Sequence, residues 1–168
     1  MQAQAYLPQY ATHLPLLAAC VAHTTGPVLE VGMGTFSTPV LHAMCAERGG
    51  RALCSLESDP AWYQEYIHYA TEWHRLFLVS SWAEAEIERA WDVALVDHTP
   101  PIRRVVDIAR LRPWARLIVV HDTENRCYAY EPLLTTFKYR VEWQGYSPWT
   151  SVVSDVDPLD WLKPICEV

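Results

Sequence analysis

The alternation of short apolar runs with helix-patterned segments is the feature that most constrains this fold. The apolar runs end at Val31, Leu56, Val79, Val96 and Val120, and amphipathic segments lie between them. Short runs of this kind, bounded by glycine or polar residues, are typical of buried strands. Strands that alternate with helices form a parallel sheet with helices on both faces. The sequence therefore predicts an α/β fold.

The C-terminal part breaks this alternation. Two further runs, Tyr139 to Trp143 and Ser151 to Ser154, are joined by a turn at Gly145 to Pro148. The connection is too short for a helical crossover, so these two strands should pair antiparallel. We expect a doubly wound, mostly parallel seven-stranded sheet that ends in an antiparallel C-terminal strand pair.

Helix patterns or helix start signals occupy the remaining segments. They are Leu14 to His23, Ser37 to Glu47 with a cap near Ser37, a segment capped by Asp59 that runs to about Trp73, Ala83 to Ala90, Ile102 to Leu111, and Cys127 to Phe137. The chain has 168 residues and shows no linker or internal repeat. This length predicts a single domain that spans residues 1–168.

Composition narrows the class of protein. The formal net charge is −7, which disfavours binding to the phosphate backbone of nucleic acids. The five cysteines are odd in number and none are spaced as C-x-x-C, so reduced thiols are expected rather than disulfides or a zinc site. The start, MQAQAYLPQYATH, does not resemble a signal peptide, and no apolar stretch is long enough to cross a membrane. We therefore expect a cytoplasmic protein.

A glycine-containing loop follows the first predicted strand. Gly32 and Gly34 allow a sharp turn and a close approach of a ligand to the backbone, and the following helix start offers free N–H groups. The dinucleotide-binding pattern requires a third glycine where Ser37 stands, so the match to a nicotinamide site is incomplete. Glu30, just before the loop, can accept a hydrogen bond from a ligand ammonium group. The alternative is that the loop is only a tight strand–helix turn.

A second acidic position lies at the end of the second strand. In a doubly wound sheet the end of this strand adjoins the glycine loop, where a carboxylate can accept both hydroxyls of a ribose. Glu57 is the expected ligand, because Asp59 is explained by helix capping. The alternative is that Glu57 is a solvated carboxylate at a strand end.

Polar pairs end the fourth and fifth strands. Asp97 and His98 follow one strand, and His121 and Asp122 end the other. Because the carboxyl ends of parallel strands open onto the ligand crevice, these four side chains should converge there. Carboxylates and imidazoles serve as general bases near neutral pH or as ligands of a divalent cation. The alternative is that they cap the helices that follow.

Together these segments resemble a known family. The runs VLEVGMGTFSTPVL, SLESDP, WDVALVDHTPP and RLIVVHDTE are similar to the class I S-adenosylmethionine-dependent methyltransferases. Within that family the resemblance is to small O-methyltransferases similar to catechol O-methyltransferase and to relatives whose fifth strand ends in H-D-T. It covers Pro27 to Ser154 and implies a Rossmann-like methyltransferase fold with S-adenosylmethionine as cofactor.

The resemblance also implies roles for individual residues. Glu30 and the loop Gly32 to Gly34 would lie at the methionine part of the cofactor, Glu57 at the ribose, Ser81 and Trp82 at the adenine, and Asp97 beside the methyl donor. Thr35 and Ser37 would also belong to the cofactor site.

The fifth strand departs from the family pattern. Metal-dependent members have an acidic–amide pair where this chain has His121 and Asp122. A magnesium site of Asp97 and Asp122 stays open as an alternative, but imidazole is a softer ligand than magnesium prefers. The histidines favour a metal-free route in which His98 or His121 removes the acceptor proton, so a divalent metal is not favoured. The N-P-P-aromatic signature of amino-methylating nucleic-acid enzymes is absent, and the chain lacks a cap over the substrate.

The preferred hypothesis is methyl transfer to a small-molecule acceptor, with oxygen as the expected methylated atom. The main alternative is a catalytically inactive S-adenosylmethionine-binding sensor or partner subunit, which the short chain favours. A nicotinamide-dependent oxidoreductase is disfavoured by Ser37 and by the antiparallel tail. The tail aromatics Trp143, Tyr146 and Trp149 are expected mainly in the core, although they would also suit a substrate mouth or a homodimer interface.

Overall fold

The structure is a computed structural model that describes residues 8–167. The prediction that the N-terminal segment is not a signal peptide falls partly on the first seven residues, which lie outside the described residues. The strands are β1 Val28–Val31, β2 Leu53–Glu57, β3 His74–Leu78, β4 Trp91–Val96, β5 Ala115–His121, β6 Tyr139–Trp143 and β7 Thr150–Ser154. The α-helices are α1 Leu14–His23, α2 Ser37–Glu47, α3 Pro60–Tyr66, α4 Arg104–Leu111, α5 Glu131–Leu134 and α6 Lys163–Cys166.

The strands form one seven-stranded sheet in the order β3-β2-β1-β4-β5-β7-β6. The pairs from β3 through β5 are parallel, and β7 pairs antiparallel with both β5 and β6. This arrangement confirms the predicted sheet, including its antiparallel C-terminal pair. The strand order reverses at β1, which lies between β2 and β4. Ligands of doubly wound sheets bind in the crevice at such a reversal.

The core lies on both faces of the sheet because successive strand residues point to opposite sides. On one face, Val93 and Leu95 of β4 pack in the same cluster as residues of α1 and α2. On the other face, Ala94 and Val96 pack in a cluster with Ile108 of α4. Both clusters contain fully buried side chains, as expected for parallel strands covered by helices.

Three predicted helices differ in the structure. Residues 83–90 form a turn and irregular chain rather than a helix. The helix capped by Asp59 ends at Tyr66 and continues only as a 3-10 turn, Ile67–Tyr69, so it does not reach Trp73. The segment predicted from Cys127 to Phe137 is a 3-10 turn followed by α5, because Ala129 adopts a left-handed conformation with φ 57° that interrupts the helix.

The predicted caps have different outcomes. The Asp59 side chain accepts hydrogen bonds from the N–H groups of Ala61 and Trp62, which confirms it as the cap of α3. Ser37 begins α2 but is not its cap. The Thr38 hydroxyl in the first turn accepts a hydrogen bond from the N–H of Gly34, which joins the helix to the preceding loop rather than capping it.

The remaining structural expectations concern thiols and membranes. All five cysteines are free thiols; Cys20, Cys45 and Cys54 are buried, while Cys127 is exposed. Among residues 8–167, no helix combines the length and apolar character needed to cross a bilayer. Of the tail aromatics, Trp143 is in the core and Tyr146 is exposed.

Candidate active site

A cavity of about 580 Å³ opens at the C-terminal ends of β1, β4 and β5. Its walls come from the loop after β1, from α3, from the chain just before α1, and from the ends of β4 and β5. The volume is within the range that holds small-molecule ligands. Of the predicted cofactor-binding residues, it is lined by Gly34, Thr35, Ser37 and Asp97.

The two glycines of the loop are glycines for different reasons. Gly32 has φ +96°, and a Cβ atom there would lie 2.7 Å from the backbone N and Cα of His98. Only glycine fits this close approach of β1 to β4. At Gly34 a Cβ would meet only the Ser37 hydroxyl at 2.9 Å, and Gly34 lines the cavity. Gly32 is therefore required by the fold, whereas Gly34 keeps the cavity open.

Glu30 acts beneath the loop rather than in the cavity. Its side chain is completely buried, and its carboxylate accepts the Thr38 hydroxyl at 3.0 and 3.1 Å. Burial raises the pKa of Glu30 to about 7, although hydrogen bonds from Ser37, Ser55 and Thr38 oppose the shift. The carboxylate is not among the groups that line the cavity, so it supports the loop through Thr38.

Glu57 also holds the loop in place. One carboxylate oxygen accepts the N–H groups of Ser58 and Asp59 at 2.7 and 2.9 Å, and the other accepts the N–H of Met33 at 3.1 Å. These bonds tie the end of β2 to the glycine loop. Glu57 is buried and does not line the cavity. Its expected contact with a ribose stays a prediction.

Aromatic side chains of α3 support the loop from the other side. The Trp62 indole N–H donates to the carbonyl of Met33 at 2.6 Å, and the Tyr66 hydroxyl lies 3.0 Å from the Thr35 hydroxyl. Both rings line the cavity. Neither residue was identified from the sequence, because aromatic residues at helical spacing are more often core residues.

Asp97, His121 and Asp122 converge at the far end of the cavity, as predicted. His121 Nδ1 lies 3.3 Å from Asp97 Oδ2. The Arg104 guanidinium bridges the two carboxylates, with Nη1 3.0 Å from Asp97 Oδ1 and 2.9 Å from Asp122 Oδ2. Arg104, the first residue of α4, is buried.

The charges in this cluster shift its proton affinities. Burial alone would lower the pKa of His121, but the Asp97 carboxylate outweighs burial and raises that pKa above its ordinary value. Burial alone would raise the pKa of Asp97, but His121 and Arg104 outweigh it and lower that pKa. The pair is therefore held in its charged form over a wider pH range than separated groups would be.

His98 does not join the other polar strand ends. It follows Asp97 directly, and adjacent residues at the end of a strand point to opposite sides of the sheet. Its ring stacks on Trp82 with centroids 4.2 Å apart, and its Nε2 lies 3.1 Å from Asp107 Oδ2. The predicted convergence of four side chains therefore holds for three of them.

The predicted adenine-side residues are also outside the cavity. The Trp82 indole N–H donates to the carbonyl of Thr99 at 2.7 Å, and the ring is buried against His98. Ser81 does not line the cavity either. Of the predicted set, the cavity is thus lined by part of the loop and by the strand-four aspartate, but not by Glu30, Gly32, Glu57, Ser81 or Trp82.

His13 is a further polar residue in this cavity that the sequence analysis missed. It lies just before α1, is 2% exposed, and its two ring nitrogens have no hydrogen-bond partner among the described residues. Burial lowers its pKa to about 4, so the ring is neutral at physiological pH. No motif or spacing could have identified it, because it lies far along the chain from His121 and contacts it only through the fold.

Comparisons with known proteins identify the fold. No protein-family model and no curated protein matches the sequence. Among solved structures, the chain resembles cofactor-bound Rv0187 from MTB (14% identity, TM-score 0.65, 91% of this chain and 83% of that chain). It also resembles the METTL16 methyltransferase domain (14% identity, TM-score 0.62, 92% and 71%) and the human methyltransferase 10 domain containing protein (12% identity, TM-score 0.61, 88% and 84%).

At these identities the likeness shows the fold alone. The chain has the Rossmann-like fold of class I S-adenosylmethionine-dependent methyltransferases, as the sequence resemblance implied. Human METTL16 has been crystallised in complex with SAH and with the MAT2A 3'UTR hairpin 1. The narrower resemblance to catechol O-methyltransferase stays a prediction.

Proposed function

We propose that this chain binds S-adenosylmethionine at the loop between β1 and α2 and transfers its methyl group to a small-molecule acceptor at the ends of β4 and β5. The observation that carries the proposal is the cavity itself. It runs from Gly34 and the start of α2 to Asp97 and His121 without interruption. A methyl donor at one end and an acceptor at the other would lie in the same cavity.

Three features support the cofactor half of this proposal. Gly34 leaves room for a close approach to the backbone, and the start of α2 offers N–H groups and a positive partial charge to a carboxylate. Glu57 stands at the end of β2, which in this fold adjoins the glycine loop. In addition, structural neighbours of the same fold have been crystallised with SAH or with a cofactor.

The acceptor half rests on Asp97 and His121. Both line the cavity, and both are held in fixed positions, Asp97 by Arg104 and His121 by Asp97 and Thr12. We assign to this pair the activation of an acceptor hydroxyl for transfer. His98, the third residue predicted to be catalytic, contacts Trp82 and Asp107 instead, so we assign it no direct role.

A nucleic-acid acceptor is the competing possibility, because METTL16 has been crystallised with an RNA hairpin. Two features of this chain favour a small molecule. Its net charge is −7, and residues 97–100 read D-H-T-P, so the N-P-P-aromatic signature is absent. The alternative of a catalytically inactive sensor or partner subunit requires S-adenosylmethionine binding without methyl transfer.

Methyl-labelled S-adenosylmethionine tests the transfer. The protein is incubated with cell extract, which is then divided into small-molecule, RNA and protein fractions. We expect label in the small-molecule fraction, and none with Asp97→Asn. Label that appears mainly in the RNA fraction would show that the acceptor is RNA rather than a small molecule. SAH binding without any label transfer would favour the catalytically inactive sensor or partner subunit over the enzyme.

A further inference from the structure

Three potential metal ligands meet at the acceptor end of the cavity. Each of His13, Asp97 and His121 offers one ligand atom, and these atoms all lie within 4.8 Å of one another. They come from three separate parts of the chain: the segment before α1, the end of β4 and the end of β5. Two imidazoles and one carboxylate form a donor set that suits first-row transition metals.

The hydrogen bonds of Thr12 show which ring nitrogen of His121 carries a proton and which one faces Asp97. The Thr12 hydroxyl has a single proton and donates it to the carbonyl of Pro148 at 2.6 Å. Thr12 Oγ1, 3.0 Å from His121 Nε2, must therefore accept the proton on that nitrogen. In the neutral ring Nδ1 then carries a lone pair, and it points at Asp97 Oδ2. These two atoms can face each other only with a cation between them, which is either a proton on Nδ1 of the imidazolium or a metal ion.

The distance between these two atoms fits a metal better than a shared proton. His121 Nδ1 and Asp97 Oδ2 are 3.3 Å apart, whereas a charge-assisted hydrogen bond between imidazolium and carboxylate is about 2.7–2.9 Å long. Two ligands that bind one metal at about 2.0–2.2 Å are themselves separated by about 2.8–3.6 Å. The widest separation in the cluster closes to such a value when one side chain moves by about 1 Å.

His13 is the residue that a proton alone does not explain. Its ring is 2% exposed and lacks a hydrogen-bond partner among residues 8–167, although burying an imidazole without one is costly. The rings of His13 and His121 meet edge to face, with centroids 4.8 Å apart. A metal held by His121 and Asp97 would give His13 the partner that it lacks.

Arg104 sets the charge balance and decides between two candidate cation sites. Its guanidinium occupies the space between Asp97 and Asp122, where a magnesium ion shared by these carboxylates would lie. It binds Asp97 through Oδ1 and leaves Oδ2 free to face the histidines. With His121 neutral, the form that binds a metal, the two carboxylates, one guanidinium and two imidazoles of this cluster carry a net charge of about −1, which favours a cation.

We propose that His13, Asp97 and His121 bind one divalent transition-metal ion such as Zn²⁺ or Co²⁺. Three protein ligands leave at least one coordination position open, as in catalytic rather than structural metal sites. All three residues line the cavity, so the open position faces the space that we assign to the acceptor. This inference deepens the proposed function, since the metal would be the means by which Asp97 and His121 activate the acceptor. The ligand geometry, however, stands without that function.

Metal binding is measured on the full chain after removal of metal with a chelator. Co²⁺ is titrated while the visible absorption spectrum is recorded, and bound Zn²⁺ is measured by equilibrium dialysis. We expect one ion per chain and little binding of Mg²⁺. Loss of an outer hydrogen-bond partner of a metal ligand weakens metal binding about 10–100-fold. His13→Phe and Asp97→Asn, which remove ligands themselves, should each weaken binding by more than this. Thr12→Val, which removes such a partner of His121, should fall within that range.

His42→Phe is the matched control. His42 and His74 form another histidine pair, with their Nδ1 atoms 2.9 Å apart, and neither lines the cavity. The control should bind the ion as the unmodified chain does. The proposal is overturned if the chain binds no stoichiometric ion, if His13→Phe and Asp97→Asn bind like the unmodified chain, or if only His42→Phe loses binding. Circular dichroism establishes that each variant is folded.

SAH titration of the same metal-free protein separates this proposal from the proposed function. SAH binding requires the glycine loop but not His13, so it should survive in His13→Phe. Metal binding without SAH binding would overturn methyl transfer and leave the metal site standing. SAH binding without metal binding would overturn the metal site and leave the proposed methyl transfer standing.

Discussion

Gly32 and Gly34 are separated by one residue but should respond differently to substitution. Gly32→Ala places a Cβ 2.7 Å from the backbone of β4's end and strains a φ of +96°, so we expect a loss of more than about 2 kcal/mol of stability. Gly34→Val should stay folded and lose SAH binding, because its side chain enters the cavity. Denaturant unfolding and calorimetry measure the two effects. Normal SAH binding by Gly34→Val would mean that the loop is only a turn.

Glu57 should contribute to stability as well as to cofactor binding. Glu57→Ala leaves the N–H groups of Met33, Ser58 and Asp59 without their acceptor. We expect a loss on the order of 2–3 kcal/mol in urea unfolding, together with weaker SAH binding. Glu47→Ala, at an exposed helix end, serves as the control. An unchanged unfolding midpoint for Glu57→Ala would show that these hydrogen bonds do not hold the loop.

Glu30 should make the stability of the protein depend on pH. Its pKa is about 7 in the folded chain, against an ordinary value of 4.5, so the folded state holds a proton that the unfolded state has lost between these values. Stability therefore falls as pH rises from about 4.5 to 7, by on the order of 2–3 kcal/mol from this group. Glu30→Gln should remove that part of the decline. Unfolding of both proteins at pH 5 and pH 8 measures the difference, and parallel curves would contradict it.

Single residues also show where sequence reasoning reaches its limit. Asp97, His121 and Asp122 could be placed together because the ends of parallel strands always meet at one edge of the sheet. His98 was misplaced because it directly follows Asp97, and neighbouring residues at a strand end point to opposite sides of the sheet. His13 and Arg104 are placed in the site by packing between segments that are distant in sequence. Such packing leaves no local pattern in the sequence. The metal-free route that the sequence favours takes account of Asp97, His121 and Asp122 but not of His13, which only the fold brings to them.

At the level of elements, the segment between β3 and β4 is held by a side chain rather than by helix hydrogen bonds. Its glutamate-rich pattern from Ala83 to Ala90 predicted a helix, but Arg110 of α4 binds the carbonyls of Trp82 and Ala85 and the carboxylate of Glu88. These contacts take the place of a helix in satisfying the carbonyl groups. Tertiary contacts of this kind override weak local propensity.

Arg110→Ala should therefore loosen this segment without unfolding the sheet. We expect faster amide hydrogen exchange in residues 81–90, measured by mass spectrometry, while β4 and β5 keep their protection. Arg112→Ala is the matched control, because Arg112 binds Asp155 and Thr136 on another part of the surface. Equal exchange in both variants would mean that Arg110 does not hold the segment.

At the level of the whole molecule, the sheet was the most predictable feature. Its strands are short, apolar and regularly spaced, and a crossover rule fixes how parallel strands connect. The tail pair was predictable because its connection is too short for a helix. What remained open was the shape of the cavity, since it depends on α3 ending at Tyr66 and on the chain before α1 reaching the end of β5.

The proposed function depends above all on which cofactor occupies the crevice at the end of β1. Titration of the full chain with SAH and, separately, with NAD tests this directly, using calorimetry and the intrinsic tryptophan fluorescence, to which Trp62 in the cavity wall contributes. The account predicts that SAH binds at one molecule per chain, that this binding is lost in Gly34→Val, and that NAD does not bind. Binding of NAD in place of SAH, or no binding of SAH to the folded chain, would contradict it.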